Sequence, residues 1–286
     1  MKTIEMNAPP RAASIYLRAL RTGGKAPGAV AALPELTYVR PRVTLQAEHI
    51  AGYAALCGFT PVQGVPLTYP QLLTFPLVME FFCSADCPWP AMGTVHLANA
   101  IEQHACLRVG DAVRVEMSSG RLFTHEKGQV FTLELRILRD AQLVWQGTQT
   151  LLRLGVKRAT GELYASRLVG DQPLSRQADL AVPGNIGRRY GRVSGDMNPI
   201  HLSALSARLF GFRRAIAHGL WTKARALAAL LPAAPVDHAA VAVEFKSPLL
   251  LPARASLWTT RSAGSAWFEV RDSGGQRPHL RGVLSY

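Results

Sequence analysis

A six-residue pattern that occurs twice constrains the fold more than any other feature of the chain. Residues 53–58 read YAALCG and residues 190–195 read YGRVSG, so both copies fit Y-x-x-x-[CS]-G, and a proline follows each copy, at Pro61 and Pro199. Behind each copy lies one long apolar segment, followed by alternating runs typical of strands. The chain of 286 residues is about two average domains long and is predicted to contain two similar halves.

Each half has one candidate for a long buried helix. In the first half it covers residues 68–83, where Pro70 is acceptable in the first turn but Pro76 is expected to kink or divide the helix. In the second half it covers residues 216–231, with one apolar stripe at helical spacing, and Pro232 ends it.

Alternating apolar and polar runs after each helix predict antiparallel strands. They cover residues 107–118, 130–139 and 143–154 in the first half, and 241–245, 254–261, 266–271 and 279–284 in the second. A curled antiparallel sheet is an economical way to bury one apolar helix, so the predicted fold class is α+β.

The polar, Gly- and Pro-punctuated segment 156–185 is predicted to link the halves. The predicted domains are therefore residues 1–155, which include an N-terminal extension over 1–35, and residues 186–286. The Arg-rich segment 11–22 is read as a docked N-terminal helix, with a transit peptide as the alternative.

Candidate catalytic residues occur only in the second half, in the segment Ser194-Gly-Asp-Met-Asn-Pro-Ile-His201. Asn198-Pro199 favours a turn, which would let the side chains of Asp196 and His201 converge. Ser203 is a suitable N-cap for a short helix that follows.

Further along the chain, His218-Gly219 stands at the predicted start of the long helix. A backbone N–H at a positive helix end suits a developing oxyanion. Asp196 is the only acidic residue between positions 180 and 236, so it is expected to stay ionised if the cations of this interval lie close to it. Those cations are Arg188, Arg189, Arg192, Arg208, Arg213, Arg214, Lys223 and Arg225.

This segment resembles the signature of the MaoC-like dehydratases, also called (R)-specific enoyl-CoA hydratases or hydratase 2. The matching residues are Tyr190, Ser194, Gly195, Asp196, Asn198, Pro199, His201, His218 and Gly219. More loosely, the first half resembles the N-terminal half of family members with two fused hot-dog domains. The resemblance implies that fold, with each long helix wrapped by an antiparallel sheet.

The resemblance also implies a reaction, the reversible syn addition of water to a trans-2-enoyl thioester to give a 3-hydroxyacyl thioester. In the family, residues matching Asp196 and His201 hold the reacting water, and the N–H matching Gly219 polarises the thioester carbonyl. An Asp/His pair can share acid and base duties without a metal. The sequence leaves open which of the two removes the proton and which returns it.

The first half departs from this signature. Phe59 stands in place of the Asp, and Gln63 or Gly64 stands in place of the His, depending on one gap. Because neither Phe nor Gln can do acid–base work here, one active site per chain is predicted. The resemblance assigns the first half to completing the sheet and shaping the acyl tunnel.

Each of these residues also has a plainer interpretation. An aspartate often caps a turn of this kind, so Asp196 can be a capping residue. His201 can be a core histidine whose ring nitrogens are hydrogen-bonded, and Gly219 can be glycine for close packing alone. Asn198 and His218 are candidate substrate-binding residues, although Asn198 can simply order the loop and His218 can simply pack. The candidates for the phosphates of coenzyme A are Arg213, Arg214 and Lys246. Lys223 and Arg225 are expected on a solvated face.

The composition narrows the class of partner. With 48% apolar and 18% charged residues the chain is globular, and its net charge of +13 points to an anionic partner. Nucleic acid is a rival to the thioester, but no helix-turn-helix, zinc-finger or ribonucleoprotein pattern is present in the sequence. The sequence also leaves open an acyl carrier protein in place of coenzyme A, and a non-catalytic module that only binds acyl thioesters.

The remaining expectations are absences or general properties. Cys83 and Cys87 lack partners at zinc-ligand spacing, so neither a metal nor a cofactor is predicted beyond the coenzyme A of the substrate. The four cysteines are read as buried thiols in a reducing cytosol. No segment long enough to span a membrane is found in the sequence, a cytoplasmic location is expected, and a homodimer is possible.

Overall fold

A computed structural model of the chain describes residues 2–10, 12–25, 28–168, 170 and 172–286. They form two compact units that interleave along the sequence. Unit 1 comprises residues 1–45, 70–101 and 110–166, and unit 2 comprises residues 46–69, 102–109 and 167–286. The predicted domain boundaries at 155 and 186 stay a prediction, because a compact unit is not by itself an inherited domain.

Unit 1 is built on six strands that follow one another in the order β1, β2, β4, β5, β6 and β3. β1 is parallel to β2, and the pairs β2/β4, β4/β5 and β5/β6 are antiparallel. The strands are β1 (Lys2–Glu5), β2 (Leu36–Thr44), β3 (Thr94–Gln103), β4 (Ala112–His125), β5 (Gly128–Arg139) and β6 (Gln142–Leu154).

Two helices cover this sheet. Helix α3 (Pro70–Cys83) packs on β2, β4 and β5 and buries Leu72, Leu77 and Phe81. Helix α1 (Ala12–Arg21) packs on α3, where Arg18 makes a bidentate ion pair with Glu80 at 2.6 and 2.8 Å. The prediction of a docked N-terminal helix is confirmed.

Unit 2 has five antiparallel strands in the order β8, β11, β10, β9 and β7. They are β7 (Ser175–Val182), β8 (Ala239–Phe245), β9 (Ala253–Ser262), β10 (Ser265–Asp272) and β11 (Pro278–Ser285). Helix α6 (Gly219–Leu230) packs on β10 and β11 and buries Trp221, Leu227 and Leu230.

Three shorter helices complete unit 2. Helix α2 (Ala47–Cys57) packs on α4 (Ile186–Ser194) and on α6, and α5 (Ala204–Arg208) follows α4. The side chain of Ser203 caps α5 by accepting from the Ser206 N–H at 3.1 Å, as predicted. A segment of the first half therefore belongs to the same unit as the candidate catalytic segment.

Several predicted elements need correction. Helix α3 continues through Pro76, so division at this residue is wrong while the alternative of a kink stays a prediction; the buried apolar side chains of α3 offset the bond lost at Pro76. Helix α6 begins at Gly219 rather than at residue 216. The strand predicted over 107–118 is β4, which starts five residues later and runs to His125.

Four strands, β1, β2, β3 and β7, were not predicted at all, and β1 is only four residues long. β2 contains a proline, and its register with β4 shifts between Arg40 and Val43, where the proline lies. β7 lies inside the predicted linker 156–185 and is a mostly exposed strand at the edge of unit 2's sheet, so its sequence lacks clear alternation. β3 alternates only weakly, with three of its ten residues buried.

None of the helices formed by the described residues is long and apolar enough to cross a membrane.

Candidate active site

The loop between α4 and α5 is shaped by short-range hydrogen bonds. Helix α4 ends at Gly195, whose φ of +81° is left-handed and favours glycine. The Asp196 Oδ1 atom accepts from the Asn198 N–H at 3.2 Å, and the Asn198 Oδ1 atom accepts from the Ile200 N–H at 3.3 Å. The 3-10 helix Pro199–His201 follows. Asp196 and Asn198 thus both order the turn, which is the plainer role considered for each.

The turn also brings together the side chains that the sequence singled out. Asp196, His201 and His218 each offer an oxygen or nitrogen atom within 4.8 Å of the other two. The Asp196 side chain is 29% exposed, whereas that of His218 is 3% exposed. The cluster therefore presents one accessible carboxylate beside two buried imidazoles.

His201 is held in a single tautomer. Its Nδ1 lies 2.8 Å from the carbonyl oxygen of Ile216, and because a carbonyl can only accept, Nδ1 carries the proton. Burial lowers the pKa of His201, although the nearby Asp196 carboxylate opposes the shift. The neutral ring therefore has its lone pair on Nε2 and can accept a proton there.

Burial also keeps the ring of His218 neutral. Burial, reinforced by the neighbouring His201, lowers the pKa of His218 to about 3. Its Nε2–H donates to the backbone carbonyl oxygen of Asp196 at 3.0 Å, and its ring stacks on that of His201 with centroids 3.6 Å apart. Among the described residues its Nδ1 has no hydrogen-bond partner.

These bonds also bear on metal binding. The three side chains are close enough to share an ion. Each histidine donates one ring nitrogen to a carbonyl oxygen and keeps the other as a potential ligand atom, so these bonds are compatible with a metal as well as with metal-free acid–base chemistry.

Gly219 is the first residue of α6, so its N–H has no partner within the helix. A Cβ at this position would lie 2.6 Å from the Phe245 ring. Close packing therefore demands Gly here whether or not the N–H binds an oxyanion, and both interpretations of Gly219 remain compatible with the geometry.

Two glycines that sequence reasoning missed shape the same loop. A Cβ on Gly187 would overlap the carbonyl oxygen of His201, and one on Gly191 would lie 2.7 Å from the carbonyl oxygen of Asp196. Both face the loop because residues four apart share a helix face. The Gly-x-x-x-Gly spacing inside GRRYG was the available signal.

The expectation that Lys223 lies on a solvated face is wrong. Lys223 is 1% exposed, and burial lowers its pKa to about 7. It lies four residues after Gly219, on the helix face that meets Phe245. An amphipathic pattern could not show this, since α6 buries side chains around much of its circumference.

The residues proposed for the phosphates of coenzyme A differ in their surroundings. Arg213 and Arg214 are exposed in the segment between α5 and α6, three and two residues before Ile216. Lys246 pairs with the buried Glu244 carboxylate at 2.5 Å, so its charge is already partly neutralised. Of the three, Arg213 and Arg214 are therefore the stronger candidates for binding the phosphates.

A separate cleft of about 660 Å³ lies in unit 2 beside the first-half counterpart of the candidate catalytic loop. Its walls are mostly apolar and come from α2 and from residues 59–67, 103–109 and 231–239. Asp196, His201 and His218 are not among its lining residues.

The chain as a whole resembles known proteins. The MaoC-like domain family matches residues 169–276. Over 252 residues the chain is 33% identical to 3-hydroxyacyl-thioester dehydratase X of Mycobacterium tuberculosis, an alignment that covers 88% of this chain and 90% of the relative.

Solved structures agree. The crystal structure of HtdX from Mycobacterium tuberculosis has a TM-score of 0.73 at 33% identity and covers 87% of this chain and 98% of its own. Another Mycobacterium tuberculosis protein, described as a double hot-dog fold, has a TM-score of 0.52 at 13% identity over 86% of this chain and 93% of its own. The predicted double hot-dog fold and the family resemblance are confirmed. The chain belongs to the family of MaoC-like dehydratases.

Proposed function

We propose that the protein adds water reversibly to trans-2-enoyl thioesters to give (R)-3-hydroxyacyl thioesters. The observation that carries the proposal is the accessible Asp196 carboxylate beside a neutral His201 with a free Nε2 lone pair. The relative at 33% identity is named a 3-hydroxyacyl-thioester dehydratase, which is the reverse direction of the same reaction.

The proposed roles of the two residues balance the reaction. The Asp196 carboxylate accepts one hydrogen of the water and orients it. His201 takes the other proton on Nε2 as the water oxygen bonds to C3, and then returns this proton to C2. One residue that removes and returns the proton on one face of the alkene gives syn addition. Such acid–base catalysis contributes about 10²- to 10⁴-fold.

The electrons of the alkene collect on the thioester oxygen during this step. We assign the Gly219 N–H, at the N-terminus of α6, as the donor to that oxygen. A donor of this type contributes about 3 kcal/mol of transition-state stabilisation. Asn198 orders the loop, and His218 holds the backbone of Asp196 rather than the substrate.

The carrier of the acyl chain is assigned to coenzyme A. The net charge of +13 suits a nucleotide-bearing thioester, and Arg213 and Arg214 are the proposed phosphate ligands, with Lys246 in a lesser role. An acidic acyl carrier protein is the alternative carrier. A cytoplasmic location and a homodimer stay predictions.

The test is a panel of enoyl-CoA chain lengths with chiral analysis of the product. We expect (R)-3-hydroxyacyl-CoA from at least one chain length, and an activity whose acidic limb falls below the ordinary histidine pKa of 6.5, because His201 stays neutral there. The (S) product, or no hydration of any chain, contradicts the proposal. Faster turnover of the same chain on carrier protein would reassign the carrier.

A further inference from the structure

Four buried aromatic side chains in unit 2 form a continuous row that ends on His201. Centroid distances are 5.7 Å from Tyr69 to Tyr53, 6.3 Å from Tyr53 to Tyr190 and 4.8 Å from Tyr190 to His218. His218 then stacks on His201 at 3.6 Å. We call Tyr69, Tyr53, Tyr190 and His218 the aromatic row.

The row has internal symmetry. Tyr53 and Tyr190 are the first residues of the two Y-x-x-x-[CS]-G copies, on α2 and α4. Tyr69 and His218 are the residues that immediately precede the two long helices, α3 and α6. Each half of the chain thus supplies one helix ring and one pre-helix ring. Beyond the pre-helix ring the second half has the buried His201, whereas the first half has the exposed His49, 5.6 Å from Tyr69 between ring centroids.

The first-half end of the row is anchored. The Tyr53 hydroxyl donates to Thr68 Oγ1 at 2.7 Å. The Tyr69 hydroxyl lies 2.9 Å from Nδ1 of His49, and Nε2 of His49 lies 2.8 Å from the carbonyl oxygen of Val193, on α4. Tyr53 and Tyr69 are each at most 1% exposed.

We propose that Tyr53 and Tyr69 of the first half are positioning residues for the reaction of the second half, because the aromatic row fixes the ring plane of His218 and, through it, that of His201. The inference rests on the proposed function for its kinetic consequence only. It gives the first half an indirect part in catalysis, through the orientation of His201, although the first half has no acid or base in its own loop.

The physical reason is that the reaction tolerates little displacement of its catalytic groups. His218 has one strong polar tie, to the Asp196 carbonyl, and this tie leaves its ring free to tilt about that bond. The Tyr190 ring, tilted by 50° at 4.8 Å, and the stacked His201 ring both contact His218 and restrict this freedom. Misplacing a catalytic group by about 1 Å can cost 10²-fold in rate.

The test compares three variants of the full-length protein. Tyr53→Leu removes one ring of the row, and Tyr53→Phe keeps the ring while removing the hydroxyl, which bonds to Thr68 and Tyr190. Phe268→Leu is the matched control, a buried ring of the same unit that is 1% exposed and lies outside the row. Turnover of an enoyl-CoA and the ¹⁵N NMR signals of the His201 ring are measured for each.

For Tyr53→Leu we expect kcat to fall about 10-fold or more with KM nearly unchanged, and the His201 signals to change from a single Nδ1–H tautomer to a mixture. Tyr53→Phe should show the kcat and the His201 signals of the native protein. Phe268→Leu should lose stability without altering either. If Tyr53→Leu does not fold, Tyr69→Leu is measured in its place.

The idea is overturned if the Leu variant folds and keeps both kcat and the His201 tautomer, or if Phe268→Leu disturbs them equally. The NMR readout needs no turnover. A change in tautomer in a protein that hydrates no thioester would therefore uphold the positioning role and refute the proposed function.

Discussion

The two loops that follow the repeated pattern, residues 58–63 and 195–201, are built alike but carry different chemistry. Both start at a left-handed glycine, Gly58 at φ +83° and Gly195 at φ +81°, and both end in a 3-10 helix that starts with proline. The first loop is one residue shorter. The matching 3-10 helices align Gln63 with His201, which resolves the choice between Gln63 and Gly64.

The side chains of the first loop serve the structure. Phe59 is buried, and Gln63 caps its own 3-10 helix and donates to the Pro232 carbonyl oxygen at 3.0 Å. Asp196 and His201, at the corresponding places, converge with His218 instead. The two loops share one backbone conformation, and the side chains they carry determine whether a loop has groups for acid–base catalysis.

The helices before the loops differ in a matching way. Relative to the shared tyrosine, Gly187 and Gly191 of α4 correspond to Ile50 and Ala54 of α2. The glycines let the candidate catalytic loop approach α4 closely, whereas Ile50 and Ala54 line the open cleft. Close approach of loop to helix is thus specific to the half that carries the candidate catalytic residues.

The largest effect is expected from exchanging acid–base capacity at the aligned positions. His201→Ala should lower the hydration rate at least ~100-fold, because the proton acceptor is lost. Gln63→Ala is the matched control and should leave the rate unchanged while lowering stability slightly, since only its cap and its bond to Pro232 are lost. Steady-state kinetics with one enoyl-CoA decide it. A fall in the hydration rate of similar size in both variants would contradict the proposed difference between the two loops.

The next effect comes from the glycines. Gly187→Ala forces the His201 carbonyl away from α4, so we expect a stability loss of about 1–3 kcal/mol and a rate at least ~10-fold lower. Gly52→Ala in α2 is the control, because a Cβ there meets no atom within 4 Å, and it should be neutral or stabilising by up to about 1 kcal/mol. Urea unfolding and kinetics measure both. An unimpaired Gly187→Ala protein would show that the close approach is not needed.

Phe59→Ala tests the structural role of the residue aligned with Asp196. Removing this buried ring should cost about 3–5 kcal/mol of stability, while kcat of the folded fraction stays near that of the native protein. Chemical denaturation, with activity normalised to folded protein, separates the two quantities. A large fall in normalised kcat without a stability loss would place Phe59 in the reaction.

A smaller effect concerns pH. The pKa of His218 is about 3 when folded and 6.5 in its ordinary state, so the neutral ring favours the folded protein above pH 6.5 and this contribution is lost as pH falls toward 3. Between pH 6.5 and about 5 the loss should be about 2 kcal/mol. His218→Tyr copies Tyr69, which does not titrate there, and should flatten the slope by this amount in urea titrations. An equally steep slope in the variant would mean that His218 is not buried as a neutral ring.

Much of the fold and of the candidate site could be predicted from the sequence, because local patterns of residues specify these features. The repeat, the long helix of the second half, its meander and the convergence of Asp196 with His201 all follow from periodicity and turn chemistry. The burial of Lys223, the edge strand β7 and the membership of residues 46–69 in unit 2 do not. They depend on which surfaces meet in the folded chain, which spacing along the sequence does not specify.

The central claim is that Asp196 orients the water that adds to an enoyl thioester, and the most direct measurement is the hydration of a short trans-2-enoyl-CoA by the native protein and by Asp196→Asn. The substitution keeps the side-chain shape and an oxygen that can accept from the Asn198 N–H, so the fold should be unchanged. We expect (R)-3-hydroxyacyl-CoA from the native protein and a rate at least ~100-fold lower from the variant. Near-native hydration by Asp196→Asn would contradict the account.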